Sequence, residues 1–470
     1  MISLSTLIAG ATLYAALPAP PAPVPSVSPS SAATKPAPLA FQVNTLTNGL
    51  KVITLEDHRA PVVTVQVWYR VGSKDEPKGK SGFAHLFEHL MFKGSKNVAP
   101  EGHARYVEQL GGAYNAATSF DQTFYYETVP ANAFERVLFL EADRMASLIV
   151  DEPNLKSERD VVKEEYRSRV ANAPYGELIK NVLSLAYPVG HPYDHPPIGS
   201  IPDLDAATIA DVRAFHETYY KPDNATLILV GDFQTADALK LAEKHFGAIP
   251  KSATGTFPRI ALPAEDAAAK PKSETFYDKL APLPAVGVAY RVPAPNDPDA
   301  PVFNIVTQIL SSGSSARLYR SLVRDKQVAL QASGGGFDLL NGGMFFFFAV
   351  ANAGKAPADV EAALTAEVDK LRAEPVTDAE LTKAKNQLLT GEVFGRIGTE
   401  SKASALASAD LLFGTPDEVN RRYDKIVAVT AADVSRVAQK YFAPERRNNF
   451  MMLPASMEPK TNAPATEKGE

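Results

Sequence analysis

Apolar and polar positions change period several times along the chain, and each change predicts an element. Residues 46–73, LTNGLKVITLEDHRAPVVTVQVWYRVGS, alternate Val, Ile and Thr with polar residues around an Asn48-Gly49 turn, the pattern of a β-hairpin. Helical spacing follows over 82–92, 101–110, 131–149 and 154–171, then an apolar strand over 227–233 and a helix over 235–246. The aromatic run GGMFFFFAV over 342–350 reads as a core strand.

A longer pattern lies over these elements. Residues 208–230, TIADVRAFHETYYKPDNATLILV, align with 430–453 at an offset of 222, matching Asp211 with Asp433, Val212 with Val434, Tyr219 with Tyr441 and Pro222 with Pro444. Each copy starts with a Thr suited to cap a helix and an Asp in the first turn, where the helix dipole favours it. Each ends before a Pro that leads into an apolar strand. The period is far too long for a solenoid. It predicts an α+β chain of two homologous domains, each a mostly antiparallel sheet packed with helices. Their expected bounds are 41–255 and 274–456, with a Pro/Ala/Lys-rich linker over 256–273 and a polar tail over 457–470. Two such domains commonly face each other across a cleft, where sites concentrate.

Composition then narrows the chemistry. The 470 residues are 45% apolar and 22% charged, as in a soluble globular protein with more than one core. A net charge of −6 without a Lys/Arg run argues against a nucleic-acid partner. The absence of cysteine excludes disulfides, thiolate nucleophiles and Cys-based metal sites, so any metal must be held by His and carboxylate. Residues 1–17 read as a signal peptide without the usual basic start, and 18–40 as a Pro/Ala-rich linker. These features predict export to a bacterial periplasm, with secretion or a signal anchor as alternatives, and no stable membrane span in the mature chain.

The chemistry concentrates in GFAHLFEHLMFKGS, residues 82–95. On a helix, Phe83, Leu86, Phe87, Leu90 and Met91 form a broad apolar face, while His85, Glu88 and His89 form a narrow stripe opposite. The i, i+4 spacing lets both imidazoles reach one metal, and Glu88, one residue off, can reach a water beside it without being a ligand. Gly94 is the expected helix stop. The bland alternative is a solvated stripe. His191 and His195 show the same spacing, but Pro192, Pro196 and Pro197 forbid a regular helix, and the pair reads as loop structure. A catalytic zinc takes three protein ligands and keeps one position open. For the third, LKSERDVVKEEYRSRV over 155–170 offers Glu158 and Glu165 on one face, with Glu164 about 100° away from Glu165.

A His-x-x-Glu-His motif followed 76 residues after His89 by a glutamate in ERDVVKEE resembles the pitrilysin-like metallopeptidases, zinc peptidases with this inverted motif. The likeness extends to 111–130, 191–204 and 219–232, and so covers nearly the whole folded chain, which resembles the two-domain processing-peptidase β-subunit-like members. The resemblance implies one half of a clamshell chamber, with a single Zn2+ held by His85, His89 and Glu165. It implies Glu88 as general base, Glu158 as a carboxylate that steadies the site, and Asn115 and Ala116 on a strand that binds peptide substrates. The second copy is expected to lack the metal motif, and residues 306–322 contain no histidine. Family members usually complete the site with an Arg and a Tyr seven residues later. Here Arg324 is present, but Gln331 stands at the Tyr position. Either this enzyme tolerates Gln331, or a homologous partner subunit supplies the Arg/Tyr pair; of these the heterodimer is favoured, with a homodimer as the alternative assembly. The expected function is a zinc endopeptidase of short or unfolded peptides. The rivals are a non-catalytic structural or assembly subunit and a peptide-binding module with a structural zinc, and neither gives Glu88 a task.

Overall fold

The computed structural model describes residues 34–263 and 270–459. The expected signal peptide, most of the stretch after it, and residues 264–269 and 460–470 lie outside the described residues. Six strands form the first sheet: β1 (Gln42–Thr45), β2 (Lys51–Glu56), β3 (Val62–Tyr69), β4 (Ala113–Thr118), β5 (Thr123–Pro130) and β6 (Ala225–Gly231), in the order β1-β2-β6-β3-β5-β4. Five form the second: β7 (Ser273–Asp278), β8 (Ala285–Arg291), β9 (Ala329–Phe337), β10 (Met344–Ala351) and β11 (Asn448–Pro454), in the order β7-β11-β8-β10-β9.

The repeat read from the sequence is a repeat of topology. β6 lies between a parallel β2 and an antiparallel β3, and β11 lies likewise between a parallel β7 and an antiparallel β8. The helices leading into them, Ile209–Tyr219 and Ala431–Tyr441, start with the same capping box. Thr208 Oγ1 accepts the Asp211 N–H at 3.2 Å, and Thr430 Oγ1 accepts that of Asp433 at 3.1 Å. Both sheets end on a strand with a free edge, β4 in the first and β9 in the second.

Gly49, at φ +90°, sits in the turn that joins β1 to β2, an antiparallel pair as the hairpin pattern predicts. β2 does not go on to pair with β3, because β6 enters between them. The helices of the first half begin with α1 (Phe83–Leu90), α2 (Gly102–Gln109), α3 (Phe134–Ser147), α4 (Glu152–Tyr166) and α5 (Leu178–Ala186), and Ile201–Asp205, Ile209–Tyr219 and Thr235–Phe246 follow. α4 runs into a π-helical turn over Arg167–Ala171.

The sequence pattern gave no sign that the two halves interlock. α5 lays Val182, Leu183 and Ala186 among Ala285, Ala289 and Phe346 of the second sheet. In return the helix Thr399–Phe413 sets Ala403, Leu406 and Ala407 against Ile53, Trp68 and Ile228 of the first. Each half thus covers one apolar face of the other, and that burial joins them. The crossing is pinned by charge: buried Asp410 accepts from Lys51 Nζ at 2.7 Å and from Arg70 Nη2 at 2.6 Å. The end of the expected 18–40 linker is also docked, since Leu39 N–H donates to Asn420 Oδ1 at 2.8 Å and Leu39 packs on the same cluster.

His216 stacks on Phe87 of α1, ring centroids 5.7 Å apart. Burial, helped by nearby Lys221, pushes its imidazole down from 6.5 to about 4. The unfolded chain therefore binds a proton over this window that the folded chain does not, so this contribution to stability is lost as pH falls from 6.5 towards 4. His216→Phe is expected to flatten the fall in melting temperature across that window, measured by thermal unfolding at a series of pH values.

Candidate metal centre

α1 forms where the apolar spacing puts it, with Phe83, Leu86, Phe87 and Leu90 buried. It ends at Leu90, before the expected stop; Gly94, at φ +102°, instead turns the chain a few residues later. The polar stripe is not solvated. α4 and β4 close over it, leaving His85, Glu88 and His89 only partly exposed.

His85 Nε2 lies 3.6 Å and His89 Nε2 lies 3.4 Å from Glu165 Oε2. One ligand atom from each residue falls within 4.8 Å of the others. A tetrahedral zinc with bonds of about 2.1 Å holds its ligand atoms about 3.4 Å apart, so this donor set fits that ion. Glu158, Glu164 and Glu165 of α4 take different positions. Glu165 points between the two imidazoles, Glu158 Oε2 faces His89 Nδ1 at 3.5 Å, and Glu164 turns outward to Arg167 at 3.1 Å. Glu158 is buried, and its Oε1 receives Lys93 Nζ at 2.8 Å and Ser157 Oγ at 3.0 Å. Glu88 lies beside this set, its Oε2 accepting the Thr118 hydroxyl at 2.5 Å.

Burial pushes the Glu88 carboxyl up, against the opposing pull of the Thr118 hydroxyl. It also pushes His85 down to about 4. On His89 burial works against charge, but Glu158 and Glu165 outweigh it and raise the imidazole to about 9. Glu158 and Glu165 are held below the usual carboxylate range despite burial, the first by His89 and Lys93, the second by His89, His85 and Arg169. A carboxylate behind a metal-binding imidazole fixes its orientation, and losing one typically costs 10–100-fold in affinity. Glu158→Gln is therefore expected to weaken zinc binding by about tenfold or more, read by competition with a chromophoric chelator.

A cleft of about 540 Å³ opens beside the site, lined among others by Glu88, His89, Phe92, Tyr114 and Asn115–Thr118 of β4. β4 is an edge strand, so its outer backbone groups can pair with an extended peptide. Asn115 is exposed, and its Oδ1 accepts the Ala116 N–H at 2.9 Å, a contact that a bound peptide strand would replace. Arg324 is not brought to this cleft. It lies in the π-helical turn Tyr319–Asp325 of the second half, where Asp325 takes its guanidinium at 2.7 Å. Gln331 lies on β9 opposite Val350 and does not line the cleft either.

Thr118, Lys93 and Arg169 were not picked out from the sequence, although spacing pointed to each. Thr118 follows Ala116 by two and shares its strand face, while Lys93 and Arg169 follow His89 and Glu165 by four. Among the described residues a second cluster, His103, Glu127 and Glu141, has metal-like spacing. Buried Arg144 fills it, bonding both carboxylates, which makes it an ion-pair network.

Two like sheets, one carrying a His-x-x-Glu-His helix beside an edge strand, define the pitrilysin-like architecture. A crystal structure of a protease from Helicobacter pylori is similar at a TM-score of 0.84 and 30% identity, over 88% of this chain and 99% of that one. The zinc protease PqqE of Helicobacter pylori is 31% identical over 414 residues, 87% of this chain and 92% of the relative. A probable mitochondrial-processing peptidase subunit beta of Arabidopsis thaliana is 27% identical over 408 residues, 85% and 76% of the two chains. Residues 51–191 match the profile described as insulinase (peptidase family M16), and 206–388 match that of the peptidase M16 inactive domain. The chain belongs to peptidase family M16. The 51–191 match spans His85, Glu88, His89, Glu158 and Glu165; the other runs into the half without the motif.

Proposed function

We propose that this chain is a zinc-dependent endopeptidase of peptides or unfolded polypeptides and the metal-bearing subunit of a heterodimer. The observation that carries this reading is the set of three ligand atoms at zinc spacing, with Glu88 beside them outside the ligand set and a free strand edge along the same cleft. His85, His89 and Glu165 hold one zinc per chain, and Glu158 orients His89 through Nδ1. When bound, zinc lowers the pKa of water at its open position and polarises the scissile carbonyl. Glu88 takes the proton from the attacking water as its oxygen bonds to the carbonyl carbon. It then delivers that proton to the amide nitrogen as the C–N bond breaks. β4, through the backbone at Asn115 and Ala116, holds the substrate extended so that its carbonyl meets this machinery. Its relatives bear protease and peptidase names, and the processing peptidases among them are named as subunits, which supports both parts of the reading.

The domain bounds 41–255 and 274–456 and export to a bacterial periplasm belong to the same proposal. Support for export is the apolar stretch over 2–17, and no described helix is long and apolar enough to cross a membrane. The test is zinc analysis combined with peptide hydrolysis by the unaltered and Glu88→Gln chains. A non-catalytic assembly subunit would show no Glu88-dependent hydrolysis, and a peptide-binding module would keep zinc and peptide affinity without cleavage.

A further inference from the structure

α1 is eight residues long, about two turns, and no side chain adjacent to its start caps it. A helix this short is marginal by itself, so its position depends on what holds its ends. Its first free N–H groups are met from a distance by Glu76. Glu76 Oε2 accepts the Gly82 N–H at 2.8 Å and Oε1 accepts that of Ala84 at 2.7 Å. The Glu76 side chain is wholly buried.

The loop that follows α5 supplies its partner. His195 Nε2 lies 2.9 Å from Glu76 Oε2, and its Nδ1 lies 3.0 Å from Asp194 Oδ1. The other oxygen of Asp194 accepts the Gly190 N–H at 2.6 Å. Burial pushes the Glu76 carboxyl up, opposed by His195 and the two backbone donors. Burial also works against charge on His195, but Asp194 and Glu76 outweigh it and raise the imidazole to about 9. The loop backbone presses against the same point: a Cβ on Gly199 would come within 2.3 Å of the Gly82 nitrogen. His195, read from the sequence as plain loop, therefore reaches the start of the metal-binding helix.

We propose that Glu76 and His195 form a positioning pair that fixes the N-terminal end of α1 and thereby sets His85 and His89 at zinc-binding distance from Glu165. This rests on the metal-site reading above. His85 directly follows Ala84, whose N–H the pair holds, so a shift there carries the imidazole out of a geometry that tolerates little displacement.

The test measures zinc dissociation constants of the full-length chain by chelator competition. His195→Ala is expected to weaken zinc binding about tenfold, the lower end for residues supporting a metal ligand. His195→Gln, which keeps an N–H donor of similar reach, should recover most of the loss, and it carries the test if the Ala variant does not fold. Glu76→Gln should match His195→Ala, and the double variant should be no worse than the weaker single, because the two act as one unit. Asp299→Asn is the stability control: Asp299 is a buried acceptor for Arg436, Lys440 and Tyr441 in the second half. It should lower the melting temperature and leave zinc affinity unchanged. A His195→Ala dissociation constant within twofold of the unaltered chain, or a loss that Asp299→Asn reproduces at equal destabilisation, overturns the pairing while leaving the metal site standing. Failure of the unaltered chain to bind zinc overturns both.

Discussion

Glu88→Gln is expected to keep one zinc per chain and to lower peptide hydrolysis by about three orders of magnitude, within the range for loss of a general acid–base group. The separation of the two effects follows from geometry. The atoms at zinc spacing belong to His85, His89 and Glu165, while Glu88 turns its carboxylate to the hydroxyl of Thr118. An amide of the same shape can keep the Thr118 hydrogen bond but cannot take a proton from water. Burial raises the Glu88 carboxyl, which suits a group that must both accept a proton and give it up. Metal content by atomic emission and cleavage of an unstructured peptide measure the two quantities. Loss of zinc together with activity would make Glu88 a ligand and refute the assignment.

Adding a homologous chain that carries an intact Arg/Tyr pair is expected to raise peptide hydrolysis by about a hundredfold or more over this chain alone, the usual effect of supplying a missing oxyanion donor. Among the described residues, none from the second half lines the cleft. Arg324 is exposed and tied to Asp325, and Gln331 sits on β9, away from the cleft lining. For the same reason Gln331→Tyr in the isolated chain should gain little. The measurement is hydrolysis against partner concentration, with complex formation followed by analytical ultracentrifugation. Full activity of the isolated monomer, or a large gain from Gln331→Tyr alone, would place the whole site in one chain; full activity of a homodimer would make the partner a second copy.

The local parts of the site were legible because they rest on helical and strand periods. His85, Glu88 and His89 share a stripe because the helix repeats at 3.6 residues, and the same rule put Glu158 and Glu165 on one face of α4. The capped repeat at Thr208 and Thr430 was legible for a similar reason, since a cap is a bond between neighbours in sequence. What left no local signal were contacts between segments far apart in the chain. Thr118 meets Glu88 across 30 residues, and His195 meets Glu76 across 119. No period connects such pairs, because their approach is set by how β4 and the loop after α5 pack, not by local geometry.

The same division holds for the fold. By itself the sequence determined two α+β units, with a His/carboxylate donor set in the first and no histidine in the second, because periodicity and residue chemistry are local properties; only the family resemblance marked Gln331 as standing where a Tyr is usual. Only the tertiary structure decided that each half lends a helix to the other's sheet, and which α4 carboxylate points between the imidazoles. It alone placed Arg324 and Gln331 away from the cleft and made Glu76 the cap of α1. These outcomes depend on which surfaces exclude water together, and that burial is summed over the whole molecule.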